Sequence, residues 1–126
     1  RQAARAQARD WLQARGMGAW AERAIGSLSQ GQRQHLCWLA LLMAEHDVLL
    51  LDEPFSSLDL PGQARLERDI AQAAQQVIVS THVLHHIRHF ERVIWLDAGR
   101  VRHDGQGREV CAAYEADVAQ RALRDR

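Results

Sequence analysis

The sequence predicts an α/β fold with parallel strands flanked by helices, and three observations carry that prediction. Val48-Leu49-Leu50-Leu51 is an apolar run stopped by Asp52-Glu53-Pro54, the pattern of a strand buried on both faces. A second apolar run, Val77-Ile78-Val79, closes on Ser80-Thr81-His82. Between them Pro61-Gly62 turns the chain into a stretch with Leu66, Ile70 and Ala73 on one helical side. Strand, helix and strand at this length make a right-handed βαβ unit, which brings Asp52-Glu53 and Ser80-Thr81-His82 to the same sheet edge. Ligands of open α/β sheets bind beyond the carboxyl ends of the strands, so that edge is the expected site.

The remaining elements follow in order. Residues 1–15 are rich in helix formers around Trp11 and Leu12, with Gly16 at the stop position, and predict one amphipathic helix. Met17 to Ser27 is looser, broken by Gly18 and Gly26, with a short helix expected from Trp20 to Ile25. From Gln32 to Glu45 the run Leu36 to Met43 is apolar nearly all round, which predicts a helix buried in protein and starting at Ser29 to Gln32. Beyond the second strand, a helix is expected over Leu84 to Phe90. A hairpin then follows, of Val93 to Asp97 and Val101 to His103 joined by Ala98-Gly99 and ended by Gly105 and Gly107. Glu109 to Arg126 reads as a last helix with no assignable chemistry.

Composition narrows the function classes. The length allows at most one domain. Basic and acidic residues number 16 each, giving a formal net charge of zero, and arginine supplies every basic charge. No long-range field draws the chain to nucleic acid or anionic lipid, and no basic arm marks an RNA or DNA contact. Cys37 and Cys111 match no metal or redox spacing, so reduced thiols are expected. There is no run of eighteen apolar residues. The chain opens on Arg1-Gln2, which reads as a start in mid-sequence.

Three short motifs stand around the first strand in a fixed order. Leu28-Ser29-Gln30-Gly31-Gln32 precedes it, Ser56-Ser57-Leu58-Asp59 follows it, and His82 ends the next strand. Together they resemble the second half of an ABC-type ATPase domain, with signature motif, Walker B strand, D-loop and switch histidine in that family's order. The resemblance covers nearly the whole chain. It implies a partial P-loop NTPase fold plus the end of the helical subdomain, with residues 1–46 in that subdomain, 47–105 in the catalytic core half, and 106–126 as a helical tail.

The resemblance also implies roles. Asp52 would help hold Mg2+ on the β- and γ-phosphates of ATP, and Glu53 would be the general base beside the attacking water. His82 would contact the γ-phosphate. In the family two such domains meet head to tail, so Ser29, Gln30, Gly31 and Gln32 would serve the ATP of a second ATPase subunit, with Asp59 coupling the two sites. Transmembrane permease subunits would complete the assembly, placing the chain in the cytoplasm on the inner face of the membrane. Within the family, a transporter subunit is favoured, resembling bacterial importer ATPases of the energy-coupling-factor kind serving biotin. The competing classes are an ABC ATPase of DNA repair or translation and a degenerate, non-catalytic fragment.

Each motif also has a structural reading. Ser29 and Gly31 open a helix, where N–H groups and the helix dipole favour phosphate, yet Ser29 is equally an ordinary N-cap. Glu53 could simply anchor a loop. His82, His85, His86 and His89 recur at helical spacing and offer a transition-metal face as the rival to the switch-histidine role. Departures from the family are Gln30 in place of glycine, Val83 where aspartate is frequent, and His35 and Ala40 where arginines are usual. No Gly-x-x-x-x-Gly-Lys-Ser/Thr is present, because the 126 residues contain no lysine. On its own the chain is therefore expected to be inactive.

Overall fold

The computed structural model describes residues 1–125. They form helix α1 (Gln2–Ala14), helix α2 (Gln30–Met43), strand β1 (Val48–Asp52), helix α3 (Leu60–Gln72) and strand β2 (Gln76–Ser80), followed by strands β3 (Val93–Asp97) and β4 (Arg100–Gly105) and helix α4 (Gly107–Arg124). β1 pairs with β2, and β3 with β4, as two two-stranded sheets. Gln76 N–H donates to Asp47 O at the start of the first pair, and Glu53 N–H to Ser80 O at its end, so β1 and β2 run parallel. The chain divides into two compact units, Arg1–Leu49 with Pro54–Ile78, and Leu50–Glu53 with Val79–Arg126.

In the first unit α1 ends as expected, with Gly16 at φ 72° turning the chain. The expected helix from Trp20 to Ile25 is absent. Two 3-10 turns stand there instead, Gly18–Trp20 and Ile25–Ser27, since a segment broken by two glycines is too short to propagate an α-helix. The core of this unit holds Met17, Leu28, Trp38, Leu39, Leu49, Phe55 and Leu66. Asp69 of α3 ties it together. Its Oδ2 accepts from Arg15 at 2.7 Å and from the Trp38 indole N–H at 3.1 Å.

Two burial expectations fail. α2 buries His35, Trp38 and Leu39 but leaves Cys37 and Ala40 exposed, so it is covered along a stripe and not all round. β1 is not buried on both faces: Leu49 is enclosed, whereas Leu50 is 73% exposed. Four consecutive apolar residues need a layer on each side of the sheet, and no described element covers the Leu50 side.

The second unit is built on the β3–β4 hairpin, antiparallel from Val93↔Gly105 to Asp97↔Arg100, with a bulge at Trp95/Leu96. Ala98 and Gly99 both have positive φ, the primed turn that suits the twist of a hairpin. α4 lies against β3, where the Trp95 and Tyr114 rings meet edge to face at 5.2 Å. Arg102 stacks over Trp95 and bridges Asp97 and Asp117. The expected helix over Leu84 to Phe90 is reduced to a 3-10 turn, Leu84–His86. Histidine is a weak helix former, and the Phe90 carbonyl accepts from Gly107 N–H at 2.9 Å.

Candidate hydrolytic and signature sites

The end of β1 carries the first group of predicted residues. Glu53 follows the last strand residue and adopts φ 45°, a left-handed conformation uncommon for a side chain with a Cβ. That turn lets Glu53 share the end of β2 instead of continuing the pleat. Its Oε2 accepts from Thr81 Oγ1 at 3.1 Å, and its Oε1 accepts from His82 N–H at 3.1 Å. His82 Nδ1 lies 2.7 Å from the same Oε1.

These contacts favour the charged form of Glu53. The His82 hydrogen bond, aided by Thr81, holds the Glu53 carboxyl below its ordinary 4.5, against a weaker upward push from burial. Glu53 is therefore ionised at neutral pH, as a general base requires. An ionised carboxylate only accepts, so Nδ1 carries the hydrogen, leaving Nε2 as the ring atom open to a substrate. Thr81 is a residue that the motif reading passed over. Its hydroxyl donates to Glu53 and accepts from Val83 N–H at 3.1 Å, fixing the turn after β2. The signal for it was only its place between Ser80 and His82.

Asp52 is exposed, and its carboxylate makes no hydrogen bond or ion pair among the described residues. A hard, anionic, unengaged oxygen donor suits Mg2+, which takes one or two carboxylates and fills its remaining positions with water and phosphate. The histidine metal face does not assemble. Among the described residues no group of three or more His, Cys, Asp or Glu is placed to hold a metal ion. His86 is buried, and His89 packs edge-on to Phe90.

The second group lies at the start of α2. Ser29 is the N-cap of a reciprocal box: its Oγ accepts from Gln32 N–H at 3.1 Å, and Gln32 Oε1 accepts from Ser29 N–H at 2.9 Å. The first intrahelical bond runs from Arg33 N–H to Ser29 O. The N–H groups of Gln30 and Gly31 are thus left without an intrahelical partner, as phosphate binding at a helix start requires. Asp59 caps α3 through Gly62 N–H at 2.9 Å. The structural readings of Ser29 and Asp59 are real, and they leave the phosphate reading of the helix start intact.

Residues 1–56 match the model of the ABC transporter family. The chain is 44% identical over 116 residues to the biotin transport ATP-binding protein BioM of Rhodobacter capsulatus, covering 92% of this chain and 50% of that protein. It is 36% identical over 113 residues to the phosphonates import ATP-binding protein PhnC of Rhizobium meliloti, covering 85% of this chain and 40% of that one. A solved ABC transporter in an inward-facing conformation is similar in structure, with TM-score 0.66 and 30% identity over 82% of this chain and 41% of its own. The chain spans about half the length of the curated relatives it matches. In sequence and in fold the chain is thus similar, over most of its length, to part of the ATP-binding domain of ABC transporters.

Proposed function

We propose that the chain supplies the hydrolytic and trans-acting half of the ATP-binding subunit of an ABC-type importer. The observation that carries this reading is the Glu53 carboxylate, ionised and oriented by Thr81 and His82 immediately after Asp52. Asp52 would hold Mg2+, which when bound neutralises charge developing on the phosphates. Glu53 takes the proton of the attacking water, and His82 directs its free ring nitrogen toward the γ-phosphate. Ser29, Gln30, Gly31 and Gln32 meet the ATP of a second subunit, and Asp59 couples the two sites. Residues 1–46 serve as part of the helical subdomain, 47–105 as the catalytic core half and 106–126 as the tail.

The names of the relatives support import, with biotin as the proposed cargo and transmembrane permease subunits as partners. No helix among the described residues is long and apolar enough to cross a membrane, so anchoring on its inner face would fall to those permeases. The test is Glu53→Gln in the polypeptide its gene encodes. The amide oxygen still accepts from His82, but the group no longer accepts a proton. ATP turnover should collapse while nucleotide-bound dimers accumulate; ordinary turnover would show that Glu53 is not the base.

A further inference from the structure

The loop after Glu53 is joined to the start of α2 at two points. Gln34, in the second turn of the helix, donates its Nε2 hydrogen to the carbonyl of Pro54. One turn earlier, Gly31 faces the carbonyl of Ser57: a Cβ added there would stand 3.0 Å from that oxygen and 3.8 Å from Leu58 Cδ2. A Cβ at that distance is tight, so glycine lets the helix start lie this close without the loop giving way. Pro54 and Phe55 are buried. Proline has no N–H, so its carbonyl is its one backbone polar group, and Gln34 satisfies it. Further along, Leu58 N–H donates to Phe55 O at 3.2 Å and Gln63 Nε2 to Leu58 O at 3.1 Å, carrying the connection to the Asp59 cap.

We infer that Gln34 is a positioning residue: it fixes the loop leading to Asp59 against the helix start bearing Ser29 to Gln32, so that both meet a second subunit's nucleotide as one rigid surface. Its functional half rests on the function proposed above; its structural half rests on the Gln34–Pro54 hydrogen bond alone. Gln34 touches no substrate. Its effect is on alignment, and displacement of a positioned group by about 1 Å costs on the order of a hundredfold in rate.

Two variants remove the donor while keeping the length of the side chain or the bulk of it, Gln34→Glu and Gln34→Leu. Amide exchange across Phe55 to Leu58 should quicken by about three- to tenfold in both, the effect of one lost hydrogen bond, while α2 amides beyond Trp38 keep their protection. In the polypeptide its gene encodes, kcat should fall at least about tenfold with KM for ATP within about twofold, because the surface acts on the partner's nucleotide. Unchanged loop exchange overturns the tie. Faster exchange with unchanged kcat, or kcat and KM failing together, overturns the positioning role. An unsubstituted polypeptide without ATPase activity would refute the proposed function instead, and the exchange measurement would still decide whether Gln34 holds the loop.

Discussion

Mild acid should destabilise the first unit through His35. His35 is 6% exposed, its Nε2 has no hydrogen-bond partner, and the Trp20 ring stands edge-on at 6.4 Å. Burial holds the imidazole below its ordinary 6.5, Arg65 and Arg15 push it the same way, and Asp69 opposes them. Asp69 cannot fully compensate, since its Oδ2 already accepts from Arg15 and Trp38. Unfolding returns His35 to water, where it binds a proton near pH 6.5 that the folded chain refuses. The unfolded state then holds more protons, so stability falls as pH falls, from about 6.5 down to the folded value, and is independent of this group above that range. One proton of difference gives a slope of at most about 1.4 kcal/mol per pH unit. Urea unfolding followed by tryptophan fluorescence at pH 7.5, 6.5 and 5.5 would measure it, with His35→Leu as the non-titrating control. The wild-type chain should lose up to about 1 kcal/mol between pH 6.5 and 5.5, and the variant should lose little. Equal slopes in the two would refute the argument.

Two further substitutions separate competing roles. Ser29→Asp preserves an N-cap of equal quality, so stability should change by less than about 0.5 kcal/mol. It also places a carboxylate where a phosphate would bind, so turnover in the polypeptide its gene encodes should fall more than about tenfold, with monomer nucleotide affinity unaltered; retained turnover would reduce Ser29 to a cap. Gly107→Ala would put a Cβ 2.6 Å from the carbonyls of Arg88 and Ile87 and 2.8 Å from that of Phe90. Those are backbone atoms that cannot swing aside, so the second unit should lose about 1–3 kcal/mol, seen as a melting midpoint lower by several degrees; an unmoved midpoint would show that the turn after His86 yields freely.

Much of the site was legible because its signals are local. Apolar residues ended by Asp52-Glu53-Pro54 stop a strand wherever they occur, and a βαβ unit of one hand then fixes which second strand end it meets. The hairpin turn at Ala98-Gly99 and the N-cap at Ser29 are equally local, since each is closed within four residues; that Gln32 returns the bond to Ser29 is seen only in the structure. The expected helix over Leu84 to Phe90 is a single 3-10 turn, and three histidines in those seven residues give weak local support for anything longer. The carbonyls of Ile87, Arg88 and Phe90 lie close to Gly107, about twenty positions on, a contact that leaves no trace in the segment's own periodicity.

What the sequence alone determined about this protein is therefore its inventory: which residues end strands, which cap helices, and in what order the acid pair, the signature and the histidine stand. What only the tertiary structure decided is which partner each takes and which face each strand buries. Thr81 became a partner of Glu53, and Gln34 of Pro54, through contacts between residues about twenty to thirty positions apart. Leu50 stands exposed although its sequence reads as core. Propensity is set by a residue and its near neighbours, whereas burial and hydrogen-bond satisfaction are set by whatever the fold brings across from it.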